Sequence, residues 1–275
     1  QISFFFVAQN NLIEEVAKYR AARRIWAKIT TEMFNSENPK SSMLRFHVQT
    51  AGVTLTAQQP DNNIIRSTIQ AMAAVLGGAQ SLHVNSKDEA LGLPSENSAI
   101  ISLRTQQIIA LESGVADTVD PLGGSYYLEK LTDDIENEAF KYINEIESIG
   151  GALAALEKQF QENEIENSAY LFQQELENQD RYMVGVNTYQ EESSENITFQ
   201  KISRKEIQQQ IKKLHSVKKN RDTKKVVESL EKLEKIARTK DNTMPAIIEA
   251  VESYSTMGEI SDIFRKVYGE YSPTY

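Results

Sequence analysis

Leu44-Arg45-Phe46-His47-Val48-Gln49 alternates an apolar with a polar residue through three full periods. Side chains along a strand point to opposite faces in turn, so Leu44, Phe46 and Val48 share one face and Arg45, His47 and Gln49 the other. Two further stretches have the same parity. Leu82 and Val84 oppose Ser81, His83 and Asn85, and Ile2, Phe4 and Phe6 oppose Gln1, Ser3 and Phe5. Strands are therefore expected at residues 2–6, 43–49 and 80–84. In an ordinary parallel barrel both strand faces are apolar, because side chains fill the interior. Here the apolar set suits a shell of helices, and the polar set would face the barrel axis, where buried polar groups need partners. A long hydrogen-bonding ligand along the axis meets that need. On alternation alone, an open sheet with one face in water meets it equally well.

Between the strands lie helical patterns. Asn10 or Asn11 can cap a helix with Glu14 in its first turn, and Leu12, Val16, Tyr19, Trp26 and Ile29 form its apolar stripe. After a loop with Pro39 and the second strand, Asn62 or Asn63 can cap a helix whose face is Ile65, Ile69, Met72 and Leu76, with Gly77 at its stop. A helix over residues 95–113 ends at Gly114, and a short fourth strand is expected at 117–119, before Asp120-Pro121. Strand and helix alternating at this spacing predict an α/β fold: the second half of a (β/α)8 TIM-type barrel, residues 1–129. Such a half leaves two sheet edges open and calls for the other half. Residues 130–275 read as a mainly helical extension and subunit-contact region. Thr132 precedes an acidic first turn and the stripe Ile135, Ala139, Ile143, Ile146, stopped by Gly150. Ser203 with Glu206 spells a capping box, and Pro245 fits a first helical position.

Composition narrows the function classes. The 275 residues are 40% hydrophobic and 25% charged, with a net charge of −9, which argues against a nucleic-acid surface. The lysines between Lys212 and Lys240 are interleaved with glutamates and read as a solvated helical face. No apolar run is long enough to span a bilayer, and no basic segment precedes the opening strand as in a signal peptide. Zero cysteines excludes disulfides and thiolate metal sites and suits a reducing, cytoplasmic setting. With three histidines, His47, His83 and His215, no metal centre is expected.

Longer motifs carry a resemblance. RAARRIWAKI (residues 20–29), LRFHVQTAGVTLTAQQPDNNIIR (44–66), GGAQSLHVNSKDEALGLP (77–94), LRTQQII (103–109) and VDPLGGSYYLE (119–129) resemble catalytic large subunits of the methylmalonyl-CoA mutase family. INEIESIGG, VGVNTY and MGEISDIFRKVYGEY continue the likeness nearly to the end. The resemblance implies a (β/α) barrel threaded by the pantetheine arm of coenzyme A, with adenosylcobalamin over the carboxyl ends of the strands. It implies a radical 1,2-rearrangement of the acyl carbon skeleton, an isomerase chemistry carried by the cofactor. His47 is similar to the family histidine that hydrogen-bonds the substrate thioester carbonyl, and Gln49 to the neighbouring glutamine. Asn85 and Glu89 are similar to the pair beside the adenosyl group, the carboxylate taking ribose hydroxyls. Gln80, Ser3, Phe5 and Arg45 fall at or beside positions where the family contacts coenzyme A.

The resemblance also implies what must come from elsewhere. Gln1 stands where relatives have an arginine for a coenzyme A phosphate. The Asp-x-His-x-x-Gly motif supplying the lower cobalt ligand is not in these residues, so a small cobalamin-binding subunit is an expected partner. The first barrel half and an oligomeric assembly are expected as well. That first half carries the positions separating methylmalonyl-CoA from isobutyryl-CoA or 2-hydroxyacyl-CoA substrates. A non-catalytic assembly protein keeping the fold is the alternative from a different class.

Overall fold

The computed structural model describes residues 2–191 and 203–270. Three parallel strands form one sheet in chain order, β1 (Phe4–Ala8), β2 (Phe46–Thr50) and β3 (Ser81–His83). Phe5 pairs with His47 and His47 with Ser81; one step on, Val7 pairs with Gln49 and Gln49 with His83. Parallel neighbours need crossovers, and helices provide them. The first crossover contains α1 (Leu12–Lys28), and the second contains α2 (Asn62–Leu76). Then follow α3 (Glu96–Leu111), α4 (Tyr126–Ile149), α5 (Ala152–Glu157) and α6 (Phe160–Glu177).

The apolar strand parity appears as the core. Ala8, Leu44, Phe46 and Val48 pack with Tyr19 of α1 and Ala74 of α2, and Phe4, Phe6 and Trp26 close around them. Tyr19 is fully buried, its ring stacked on Phe46 at 5.3 Å and its hydroxyl donating to the Val7 carbonyl at 2.9 Å. Burial and the adjoining Glu15 carboxylate push its phenol pKa far up. A second cluster joins Val16 and Ala17 of α1, Ala73 of α2 and Leu128 of α4. The α1–α4 seam is charged as well as apolar. Arg20 pairs with Glu129 at 2.6 Å and Arg24 with Asp133 at 2.8 Å. The buried Glu136 takes both Arg24 (2.6 Å) and Lys28 (2.5 Å). Positions 20, 24 and 28 are one helix stripe, and 129, 133 and 136 are its complement.

Several expectations are corrected. The fourth strand at 117–119 is absent: Val115–Asp117 is a 3-10 turn, and among the described residues the sheet has three strands. Val119 is almost fully exposed and finds no apolar neighbour to make a strand worth forming. In α2, Ile65 is 60% exposed and Ile69 is exposed too; the buried side is Asn63, Ser67, Gln70, Ala71, Ala73 and Ala74. That face turns inward because its amides hold the loop after β2. Gln70 accepts the Ala51 N–H at 2.9 Å and donates to Thr54 Oγ1 at 2.6 Å, while Asn63 both accepts from and donates to the Thr56 backbone. Asn62 and Asn63 lie inside α2, which Asp61 precedes without a side-chain cap. Asn11 does not cap α1 either; its amide donates to Glu14 at 2.6 Å. Thr132 starts no helix: it is buried in mid-α4, bonded to the Leu128 carbonyl.

Positions 129 and 130 both lie in α4, which packs on α1, and two compact units are distinguished, residues 1–200 and 201–275. The second unit contains α7 (Arg204–Asn220), α8 (Thr223–Ala237), α9 (Met244–Glu252) and α10 (Met257–Tyr268). Its capping box at Ser203 and Glu206 forms as expected, a second one forms at Thr256 and Glu259, and Pro245 sits in the first turn of α9. Arg221 ties α7 to α10 through two bonds to Glu259, at 2.7 and 2.6 Å. Among the described residues no helix is long and apolar enough to cross a membrane.

Candidate functional site

The polar parity of the strands lies on the sheet face opposite the α1–α2 core. Two rows cross it. Phe5, His47 and Ser81 stand abreast in register, and Val7, Gln49 and His83 form the next row toward the carboxyl ends. The His47 ring lies 4.8 Å from the Phe5 ring, tilted by 46°, and its Nδ1 is 2.7 Å from the Ser81 hydroxyl. The imidazole is thus held from both neighbouring strands, and its Nε2 has no partner among the described residues. Phe5 remains 62% exposed.

Loops at the strand ends bring in the remaining groups. Gln49 Nε2 donates to Asn85 Oδ1 at 2.8 Å. Asn85, only 2% exposed, donates its side-chain amide to the Thr50 carbonyl at 2.8 Å and its backbone N–H to Thr50 Oγ1 at 2.9 Å. Glu89 presents an exposed carboxylate without a side-chain partner among the described residues. Gly52 lies between these two. A Cβ there would come 3.3 Å from Asn85 Nδ2 and 3.5 Å from Glu89 Cγ, so glycine keeps a gap that any other residue would narrow.

The segment carrying Asn85 and Glu89 is anchored at Asp88. Its carboxylate accepts the Ser86 hydroxyl at 2.6 Å and the Ser95 N–H at 3.0 Å. Burial works to raise the Asp88 pKa, but these bonds and one from Ser98 outweigh it and hold it below the usual carboxylate range. Ser95 also caps α3, its hydroxyl accepting the Ser98 N–H. Asn63 reaches the same segment by donating to the Lys87 carbonyl at 2.9 Å.

The other expected residues are more scattered. Gln80 turns back onto the sheet: Oε1 accepts the Phe46 N–H at 2.7 Å and Nε2 donates to the Gly78 carbonyl at 2.9 Å. Ser3 and Arg45 are exposed near the amino ends of β1 and β2, distant along the strands from Gln49, and neither has a side-chain partner among the described residues. Gln1 lies outside the described residues. Ser81 and Thr50 were not singled out in the sequence. Strand parity already put Ser81 beside His47; Thr50 has the opposite parity, and nothing local marks it. Among the described residues no cluster of His, Cys, Asp or Glu is placed to hold a metal ion.

The family model described as methylmalonyl-CoA mutase matches residues 1–270. The chain belongs to the methylmalonyl-CoA mutase family. It is 42% identical over its whole length to the 2-hydroxyisobutanoyl-CoA mutase large subunit of Aquincola tertiaricarbonis, covering 49% of that protein. It is 44% identical over 98% of its length to the mitochondrial methylmalonyl-CoA mutase of Bos taurus, covering 36% of it. Against the methylmalonyl-CoA mutase of Rhizobium meliloti (strain 1021) the figures are 41%, 99% and 38%. The chain thus spans half or less of the length of these curated relatives. Family membership and the two polar rows bear on one question, namely what those rows hold.

Proposed function

We propose that this chain supplies the carboxyl-side half of the acyl-CoA-binding (β/α) barrel, and a helical contact region, in an adenosylcobalamin-dependent acyl-CoA mutase. The substrate is of the methylmalonyl-CoA or 2-hydroxyacyl-CoA type. The observation carrying this reading is the polar sheet face, where His47 is braced by Phe5 and Ser81 one row below Gln49, next to the strand ends bearing Asn85 and Glu89. Catalytic groups at the carboxyl ends of parallel strands are the rule for barrel enzymes.

In this reading His47 Nε2 meets the thioester carbonyl. A neutral imidazole N–H there orients the acyl group without bringing a strong acid near a reactive centre. Gln49 lies one row closer to the cofactor. The gap at Gly52 and the Glu89 carboxylate, without a side-chain partner among the described residues, fit a ligand with hydroxyl donors such as the ribose of adenosylcobalamin. That cofactor, when bound, supplies the radical chemistry that shifts the carbon skeleton. The lower cobalt ligand comes from another domain or a small partner subunit, and the first barrel half completes the channel around coenzyme A. Ser3, Phe5, Arg45 and Gln80 lie toward the pantetheine end, although Gln80 must leave its backbone bonds to touch a ligand. The lack of cysteine accords with a reducing, cytoplasmic setting.

The test is steady-state kinetics of the complete, cobalamin-loaded enzyme with acyl-CoA varied. Loss of one oriented donor to an acyl oxygen is worth about 10²–10³ in rate where an oxyanion forms. A radical rearrangement develops less charge, so His47→Ala should cost about 10²-fold or less, mainly in kcat. His215→Ala, on the lysine-rich α7, should be silent. If the two variants behave alike, His47 is not at the reacting carbonyl. The 275-residue chain alone should turn over no acyl-CoA.

A further inference from the structure

The hydrogen bonds around Asn85 settle which atom Gln49 offers to a ligand. A backbone carbonyl only accepts, so the Thr50 carbonyl, 2.8 Å from the Asn85 side chain, must face its amide nitrogen. That turns Asn85 Oδ1 toward Gln49, and Oδ1 also only accepts. Gln49 therefore donates through Nε2, at 2.8 Å, and cannot flip without setting two oxygens against each other. Its own Oε1 has no partner among the described residues and lies on the polar sheet face. Thr50 secures the arrangement twice, since its hydroxyl also takes the Asn85 backbone N–H at 2.9 Å. Thr50 is 1% exposed and Asn85 2%, so both are held within the fold.

We propose that Thr50 and Asn85 are positioning residues that lock the Gln49 amide, and that Gln49 Oε1 is an acceptor for an uncharged O–H or N–H donor. This gives Asn85 an orienting role besides that of bordering the gap at Gly52. It also sets the polarity of the subsite: a carboxylate or a carbonyl is repelled there, and a hydroxyl or an amide N–H is taken. Two sources present such a donor to this face, an amide of the pantetheine arm and a ribose hydroxyl of the adenosyl group. The inference rests on the reading that this face receives acyl-CoA and cofactor.

The experiment measures dissociation constants on the full-length protein assembled with its cobalamin-binding partner. One arm compares acyl-CoA with an analogue whose pantetheine amide N–H is replaced by an ester oxygen. The other compares adenosylcobalamin with its 2′-deoxyadenosyl analogue. Each pair is run on the unmodified protein, Gln49→Met, Thr50→Val and Thr50→Ser. One neutral hydrogen bond is worth about two- to tenfold in affinity. In one arm, the donor-deleted ligand should bind the unmodified protein more weakly by that factor and lose nothing further on Gln49→Met; that arm names the source. Thr50→Val should follow Gln49→Met in the same arm, and Thr50→Ser, which restores the hydroxyl, should follow the unmodified protein. If Thr50→Val does not fold, Gln49→Met decides alone. Weaker binding by Gln49→Met with no coupling to either deletion overturns the inference and leaves the site reading standing. Unchanged binding of every ligand by Gln49→Met overturns both.

Discussion

Replacing Gly77 by Ala separates two explanations of that glycine. As a helix stop it would need a left-handed backbone, but its φ is −77°, a conformation that alanine adopts freely. On that account Gly77→Ala would be neutral or slightly stabilising. The packing says otherwise. A Cβ at Gly77 would lie 2.3 Å from Tyr19 Cδ2, 3.0 Å from the Ala73 carbonyl oxygen and 3.1 Å from Tyr19 Cβ. Carbon atoms rest at about 3.5–4.0 Å, so the tyrosine ring must retreat by more than about 1 Å. It has no room. Its hydroxyl is bonded to Val7, its face is stacked on Phe46, and Phe6 stands beside it at 6.1 Å. Overpacking a closed core costs about 1–3 kcal/mol, and three walls put this case near the top of that range. At about 2–4 °C per kcal/mol, Tm should fall by roughly 6–12 °C. Urea unfolding followed by circular dichroism gives the free energy, and Tyr19→Ala with Gly77→Ala gives the coupling. The double variant should cost less than the two single costs added, because the ring that clashes is gone. A single variant within about 0.5 kcal/mol of the parent, or strict additivity, would sink the packing account.

Three other outcomes are expected. Glu259→Gln should destabilise residues 201–275 by about 1–2 kcal/mol at neutral pH, a charged hydrogen bond discounted for partial exposure. Hydrogen bonds from Arg221 hold the Glu259 pKa well below its ordinary 4.5, so this stabilisation is present above that pH and lost as pH falls below it. The gap between the urea midpoints of parent and variant should therefore stay constant above about pH 4.5 and close as pH falls below it, and a gap that persists unchanged into acid would refute the assignment. Asp88→Asn keeps one acceptor but loses the charge that draws the Ser86 hydroxyl and Ser95 N–H. The Ser95 amide should exchange with deuterium several-fold faster, at about 1 kcal/mol of local stability. Gly258→Ala in α10 meets only Thr256 Oγ1, at 3.9 Å, and should stabilise the protein by up to about 1 kcal/mol; a lower Tm would contradict that helix geometry.

Much of the fold was legible because strands and helices declare themselves by period. The alternation at 44–49 placed β2, put Phe46 and Val48 in the core and turned His47 and Gln49 outward, all as the structure has them. The capping box at Ser203 and Glu206 was equally readable, since a cap is satisfied within four residues of itself. What failed involved partners distant in sequence. Of the expected stripe on α2, Met72 and Leu76 pack against buried clusters, but Ile65 and Ile69 are exposed, and the most deeply buried side carries Asn63 and Gln70, which have backbone groups of the 51–56 loop to satisfy. An unpaired buried amide or carbonyl costs more than an exposed isoleucine. The 117–119 strand failed for the converse reason: β propensity without a neighbouring strand does not hold a ladder.

The candidate site divides in the same way. Residue types, spacing and strand parity alone determined that the sheet has a polar face and that His47 and Gln49 share it. Family likeness added Asn85 and Glu89. Tertiary structure alone decided that Ser81 and Phe5 brace the imidazole and that Asn85 is buried against Thr50. It also turned Gln80 back to its own sheet and stacked α4 on α1 through Glu136. Side-chain period is a local property, set by the geometry of one chain segment. The partner of a hydrogen-bonding group depends on which segments the fold brings within 3 Å, and no pattern along the chain encodes that distance.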